Sequence, residues 1–89
     1  MIHLTELIGK SERTVERIFK KYFNLSPYTY LKIHRLNRIR NYLIQANNPS
    51  TVNITHTAMA NGFMHMGYFA SEYKKTFGER PSDTLQRVS

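Results

Sequence analysis

The chain has 89 residues, 40% of them apolar and 12% aromatic, which suits one small domain or two very small subdomains and excludes a deep, enzyme-sized core. It has no cysteine, which excludes disulfide staples and thiolate metal sites, and no apolar run of signal-peptide or membrane-spanning length, so it reads as cytoplasmic. Its formal charge is +7, carried almost wholly by Lys10, Arg13, Arg17, Lys20, Lys21, Lys32, Arg35, Arg38 and Arg40 against Glu12 and Glu16; so concentrated a field suits a polyanion, nucleic acid before membrane.

In chain order, Ile2, Leu4, Leu7 and Ile8 form a short helical stripe that Gly9 ends. Ser11 then caps a helix with Val15, Ile18, Phe19 and Tyr22 on its apolar face and Arg13, Glu16, Arg17 and Lys20 towards solvent, and Asn24 closes it. Ser26-Pro27 opens a third helix, which runs to about Gln45 along an apolar line of Leu31, Leu36, Ile39 and Leu43. Its roughly 19 residues span about 28 Å, and Asn47, Asn48, Pro49 and Ser50 break it. Asn53 caps a fourth helix, Ile54 to Asn61, which stops at Gly62. A fifth begins at Met64 or His65 and aligns Phe69, Tyr73 and Phe77; Pro81-Ser82 starts a short last one. The fold class is all-α, since neither an alternating strand pattern nor a hairpin dipeptide occurs.

The chain also repeats itself. Ser11 to Leu31 and His65 to Leu85 align at a spacing of 54 residues, with five identical pairs: Lys20/Lys74, Lys21/Lys75, Phe23/Phe77, Pro27/Pro81 and Leu31/Leu85. Asn24/Gly78 pairs the two residue types that best tolerate a left-handed helix end. Before the turns, Thr5 and Gly9 match Ala58 and Gly62 at 53 residues, the second turn being one residue longer. A small residue, a turn glycine and then an amphipathic helix is the helix-turn-helix pattern. Two copies joined by a long basic helix divide the chain into a first motif (1–26), a linker helix (27–46) and a second motif with a C-terminal helix (47–89).

On these residues the sequence resembles the C-terminal DNA-binding region of the AraC/XylS family of bacterial transcription regulators: SERTVERIFKKYFNLSPYTYLKIHRLNRIRNYL matches the first motif and linker, and ANGFMHMGYFASEYKKTFGERPSDTL the family's glycine-phenylalanine to proline-serine signature. The resemblance implies two homeodomain-like three-helical subdomains, each placing its second helix in one of two successive major grooves of double-stranded promoter DNA. It places base readers at Arg13, Glu16 and Arg17 in the first motif. In the second it places Met66, Gly67, Tyr68 and Ser71, with His65 and Glu72 nearby; His65, Tyr68 and Ser71 are the side chains expected to reach bases. Arginine suits guanine and glutamate suits cytosine. Lys10, Lys20, Lys21, Lys32, Arg38, Lys74 and Lys75 are expected at phosphates, while Arg35 either meets phosphate or braces the helices. RNA polymerase is a further expected partner.

Three departures qualify the resemblance. The second reader is nearly neutral, so the first is expected to supply most affinity. Thr57 stands where the family usually has an apolar residue, which predicts a looser second subdomain. The cap and helix that normally precede the first motif are absent, so the chain is expected to be truncated from a longer regulator whose sensor and dimerisation domain lies elsewhere.

Competing readings are weaker. His3, His34, His56 and His65 provide no i, i+3 or i, i+4 ligand pair, and neither a cofactor site nor a nucleophile-base-acid set is discernible. The main alternative is a non-DNA module whose basic helix binds an acidic protein or an anionic membrane surface.

Overall fold

The computed structural model describes residues 8–87, and its regular elements there are all helical: α1 (Glu12–Phe23), α2 (Pro27–Ile44), a 3-10 turn (Pro49–Thr51), α3 (Ile54–Ala60), α4 (Met66–Phe77) and α5 (Pro81–Arg87). Two compact units meet between Lys32 and Ile33, inside α2. The expected stripe of Ile2, Leu4 and Leu7, with any leading helix of the first motif, lies outside the described residues, as does His3; Ile8 is exposed in the turn before α1.

In the first unit, serine caps both helices in the same way. Ser11 Oγ accepts from the Thr14 backbone N–H at 3.2 Å, and Ser26 Oγ accepts from that of Thr29 at 3.1 Å. Each satisfies one of the amide donors that the first turn leaves without a helical partner. At the other end of α1, Asn24 adopts φ 56° and donates its N–H to the Lys20 carbonyl, which satisfies one of the last-turn carbonyls as the chain turns into α2. That turn brings Tyr30 back onto α1. Phe19, Phe23 and Tyr30 form a triangle with ring centroids 5.1, 5.4 and 5.0 Å apart, and such pairs contribute about 0.5–1.5 kcal/mol beyond their burial. Phe19, 6% exposed, is the one buried side chain among the described residues of this unit.

Two expected core residues lie outside it. Tyr22 is 54% exposed, and Lys21 Nζ sits 5.5 Å from its ring centre; Phe23, four residues after Phe19, takes the place against Tyr30. Leu31 is 44% exposed, because it stands about 140°, 80° and 120° round the helix from Leu36, Ile39 and Leu43, off the stripe that they form.

The second unit packs that stripe of α2 against Ala58 of α3, Phe63 of the turn, Phe69 and Tyr73 of α4, and Leu85 of α5. Asn53 caps α3 by accepting from the His56 N–H at 2.9 Å. Asn61 is the residue after α3 rather than its last, and His65 precedes α4, which starts at Met66. Gly78, at φ 77°, ends α4 as Asn24 ends α1. Thr57 is buried, and its hydroxyl donates to the Asn53 carbonyl at 2.9 Å; that bond removes the polar penalty that made it a suspected weak point.

A polar thread runs from the core to the surface. Tyr73 Oη donates to Thr84 Oγ1 at 2.7 Å, Thr84 donates in turn to the Glu79 carboxylate, and Glu79 pairs with Arg87 at 3.2 Å. Burial pushes the Tyr73 phenol above its ordinary value, outweighing the Thr84 hydrogen bond and the nearby Arg40 charge. Thr84→Val, which strands the Tyr73 hydroxyl, is expected to destabilise the protein by roughly 1–3 kcal/mol in urea titration, and Tyr73→Phe by about 1 kcal/mol.

Asp83 closes the start of α5, accepting from the Arg80 backbone N–H at 3.0 Å and from its guanidinium at 3.0 and 3.1 Å. The side-chain and backbone hydrogen bonds from Arg80 hold the carboxyl below its ordinary value of 3.8. Its stabilising effect is therefore complete above the ordinary value and disappears as pH falls through the lower native one. Thermal melts in that acid window should show Asp83→Asn lacking the part of the pH dependence that the wild type owes to this carboxylate.

Candidate nucleic-acid interface

Helical periodicity decides which α1 side chains can act together. Arg13, Glu16 and Arg17 are spaced i, i+3, i+4 and lie on one exposed face; Lys20 and Lys21 extend it by a turn, and exposed Lys10 precedes it. Among the described residues, Arg13, Glu16 and Arg17 make no ion pair with one another. Two arginine forks and one carboxylate on a single face present the donor and acceptor sets that guanine and cytosine edges accept.

The cations of α2 divide by role. Lys32 is half-buried with Nζ 6.0 Å from the Tyr28 ring centre. Arg38 is exposed and lines a shallow groove with Tyr42, His56, Thr57, Ala60 and Asn61. Arg40 turns inward: its guanidinium lies 5.2 Å from the Phe77 ring centre, and its enclosed Nε has no hydrogen-bond partner. Although part of the basic run, it acts as a cation-π brace between α2 and α4.

Arg35 is the ambiguous cation, and geometry resolves one of its two roles. Gly62, in the turn between α3 and α4, has φ 95°, and a Cβ added there would lie 3.0 Å from Arg35 Nη1 and 3.1 Å from its Cζ. The guanidinium thus lies close against the turn glycine, in the space that a side chain there would take. Arg35 as a whole remains exposed.

α4 has a different surface. His65 precedes it, exposed and without a side-chain capping bond. Gly67, Tyr68 and Ser71 are exposed, but Met66 is half-buried against the core rather than on the outer face. The Glu72 side chain is only 12% exposed and pairs with Lys75 at 3.4 Å; Lys74 is exposed at the same end. Met64, 68% exposed just before the helix, is the surface residue that the sequence reading passed over; its place between the core residue Phe63 and the helix cap was the available signal.

Among the described residues no group of three or more His, Cys, Asp or Glu could hold a metal ion, and no helix is long and apolar enough to cross a membrane.

Comparison with known proteins supplies independent findings. A helix-turn-helix domain family matches residues 4–87. The "XylDLEGF operon transcriptional activator 2" of Pseudomonas putida is 40% identical over 84 residues, which cover 92% of this chain and 52% of that protein. The "XylDLEGF operon transcriptional activator" of the same organism is 40% identical over 86 residues, 94% of this chain and 26% of that one. The crystal structure of a probable AraC family transcriptional regulator from Rhodopseudomonas palustris CGA009 is similar with a TM-score of 0.82 and 33% identity, covering 99% of this chain and 82% of that chain. The present chain thus spans about half, or a quarter, of the length of these curated relatives.

The Arg35–Gly62 contact makes a measurable claim. Gly62→Ala carries a left-handed penalty of about 1–2 kcal/mol together with the close approach to Arg35, so urea titration should show a loss of at least that size. Arg35→Ala in the same chain should recover the steric part and leave the backbone part, a non-additivity that a double-mutant cycle reads directly.

Proposed function

The chain belongs to the AraC/XylS family of helix-turn-helix transcription regulators, and from that premise we propose that it binds double-stranded promoter DNA sequence-specifically, laying α1 and α4 into successive major grooves. The observation that carries the reading is the exposed α1 face of Arg13, Glu16 and Arg17 continued by Lys20 and Lys21. Reading residues and phosphate anchors follow one another along a single helix there, as groove entry requires.

In this reading Arg13 and Arg17 donate to guanine edges and Glu16 accepts from cytosine. Lys10, Lys20, Lys21, Lys32, Arg38, Lys74 and Lys75 meet phosphates, with Lys75 first having to share its charge with Glu72. On the second reader, His65, Tyr68 and Ser71 offer hydrogen bonds and contact area but no permanent positive charge, so α1 supplies most of the affinity. The 18 residues of α2 make a helix of about 27 Å, comparable with the roughly 34 Å repeat of the duplex. The domain scheme is a first motif over 1–26, a linker over 27–46 and a second motif over 47–89. Contact with RNA polymerase, and a sensor or dimerisation domain in the remainder of a longer protein, are part of the same proposal. The setting is the bacterial cytoplasm, at the nucleoid.

Binding to random and selected duplexes across a salt series tests it. Contact with about five to eight phosphates gives a log–log slope of roughly −4 to −7, whereas binding to anionic vesicles without duplex binding would refute the DNA reading in favour of a membrane-surface module. Arg17→Ala should relax preference at one base pair at a cost of about 1–3 kcal/mol, and Lys21→Ala should weaken all sequences alike. Equal losses on selected and random DNA would remove Arg17 from the readers.

A further inference from the structure

Glycine is a poor helix residue, and a fold retains it where φ is positive or where a side chain would collide. Gly9, Gly62 and Gly78 all have positive φ. Gly67 does not: it lies within α4, and a Cβ built on it would meet no atom within 4 Å. The free protein therefore gains nothing from glycine at this position, in backbone conformation or in packing. What remains is the space outside the helix, where the missing side chain lets another molecule approach the backbone.

The surroundings define what that molecule presents. Gly67 shares the exposed surface of the first turns of α4 with Tyr68, which is 43% exposed, and Ser71, and Met64 is exposed just ahead of them. From Met64 to Ser71 the one ionisable side chain that could carry charge near neutrality is His65. This is an uncharged, largely apolar surface with a notch in it. The one apolar group that a major groove displays is the C5-methyl of thymine.

We infer that Gly67 is a specificity-determining position at which the second reading helix receives a thymine methyl, held against the bare backbone beside Tyr68. The inference rests on the DNA-binding reading above and deepens its second half: to the hydrogen bonds that His65, Tyr68 and Ser71 offer, the α4 face adds an apolar contact at Gly67.

The test uses the full chain and a duplex that the wild-type protein selects from a randomised library. Replacing each thymine in turn by deoxyuridine removes only the methyl and leaves every hydrogen-bonding group in place. At one position this should weaken wild-type binding about threefold to tenfold, the value of one buried methyl-sized contact. Gly67→Ala should melt at the same temperature as the wild type or higher, since alanine favours the helix and its Cβ meets nothing. It should bind the selected duplex about tenfold more weakly, and deoxyuridine at the sensitive position should then cost nothing more. The inference is overturned if Gly67→Ala binds like the wild type, if it keeps the same methyl sensitivity, or if it weakens every duplex alike, the last outcome marking an approach to the sugar-phosphate backbone instead. Selection of a duplex with no methyl effect anywhere removes this inference and leaves DNA binding standing; failure to select any duplex removes both.

Discussion

Each unit is organised around the same contact: the helix that presents its exposed face packs against the helix that follows it. A left-handed residue, Asn24 or Gly78, reverses the chain at the helix end, and three residues later a proline starts the next helix. The reversal sets residue 30 against residue 19 in one unit and residue 84 against residue 73 in the other, positions that correspond under the repeat. In the first unit this meeting is an aromatic edge contact at 5.4 Å between ring centres; in the second it is a hydrogen bond of 2.7 Å between hydroxyls. The geometry is the same and the chemistry differs. A tilt of α1 or α4 would break the corresponding contact, so the backbone turn and this side-chain pair act with the surrounding core to set where the exposed face points.

The two units have used their charges in opposite ways. On α1 the arginines stand in solvent, whereas in the second unit Arg35 lies on a turn glycine, Arg40 on the Phe77 ring, Arg80 on Asp83 and Arg87 on Glu79. A long guanidinium stem covers apolar surface and its planar head finds an aromatic face or carboxylate at short range, enclosed at Arg40 and exposed at Arg80 and Arg87. Of these cations Arg40 is the one whose head is turned inward, and the absence of cationic side chains from the first turns of α4 follows from the sequence of that helix.

Much of this architecture was legible in the sequence because it depends on local rules. Ser11, Ser26 and Asn53 as caps, Asn24 and Gly78 as stops and Pro27 and Pro81 as starts are each decided within a few residues, and the structure has all of them. The family likeness was readable from the two copies and their joining helix. What the sequence hid depends on which of two similar residues wins a contact. Tyr22 has helical spacing as good as that of Phe23, and only the path of Tyr30 shows which is covered. Leu31 is apolar but off the stripe, and the inward turn of Arg40 depends on where Phe77 lies. The inertness of Gly67 within its own fold could not be read from a one-dimensional pattern at all, because it concerns empty space.

The contacts that hold each reading helix join residues only 11 apart along the chain. Closing so short a loop costs little chain entropy, and helical proteins rich in local contacts order in microseconds to milliseconds. During synthesis the ring contacts of Phe19, Phe23 and Tyr30 can form while the residues of the second unit are still being added, since none of them waits on a distant partner. The pair at positions 73 and 84 forms later than the pair at 19 and 30, once the second unit has been made. Duplicating a unit that closes on itself so locally lets one copy change its surface without delaying the assembly of the other.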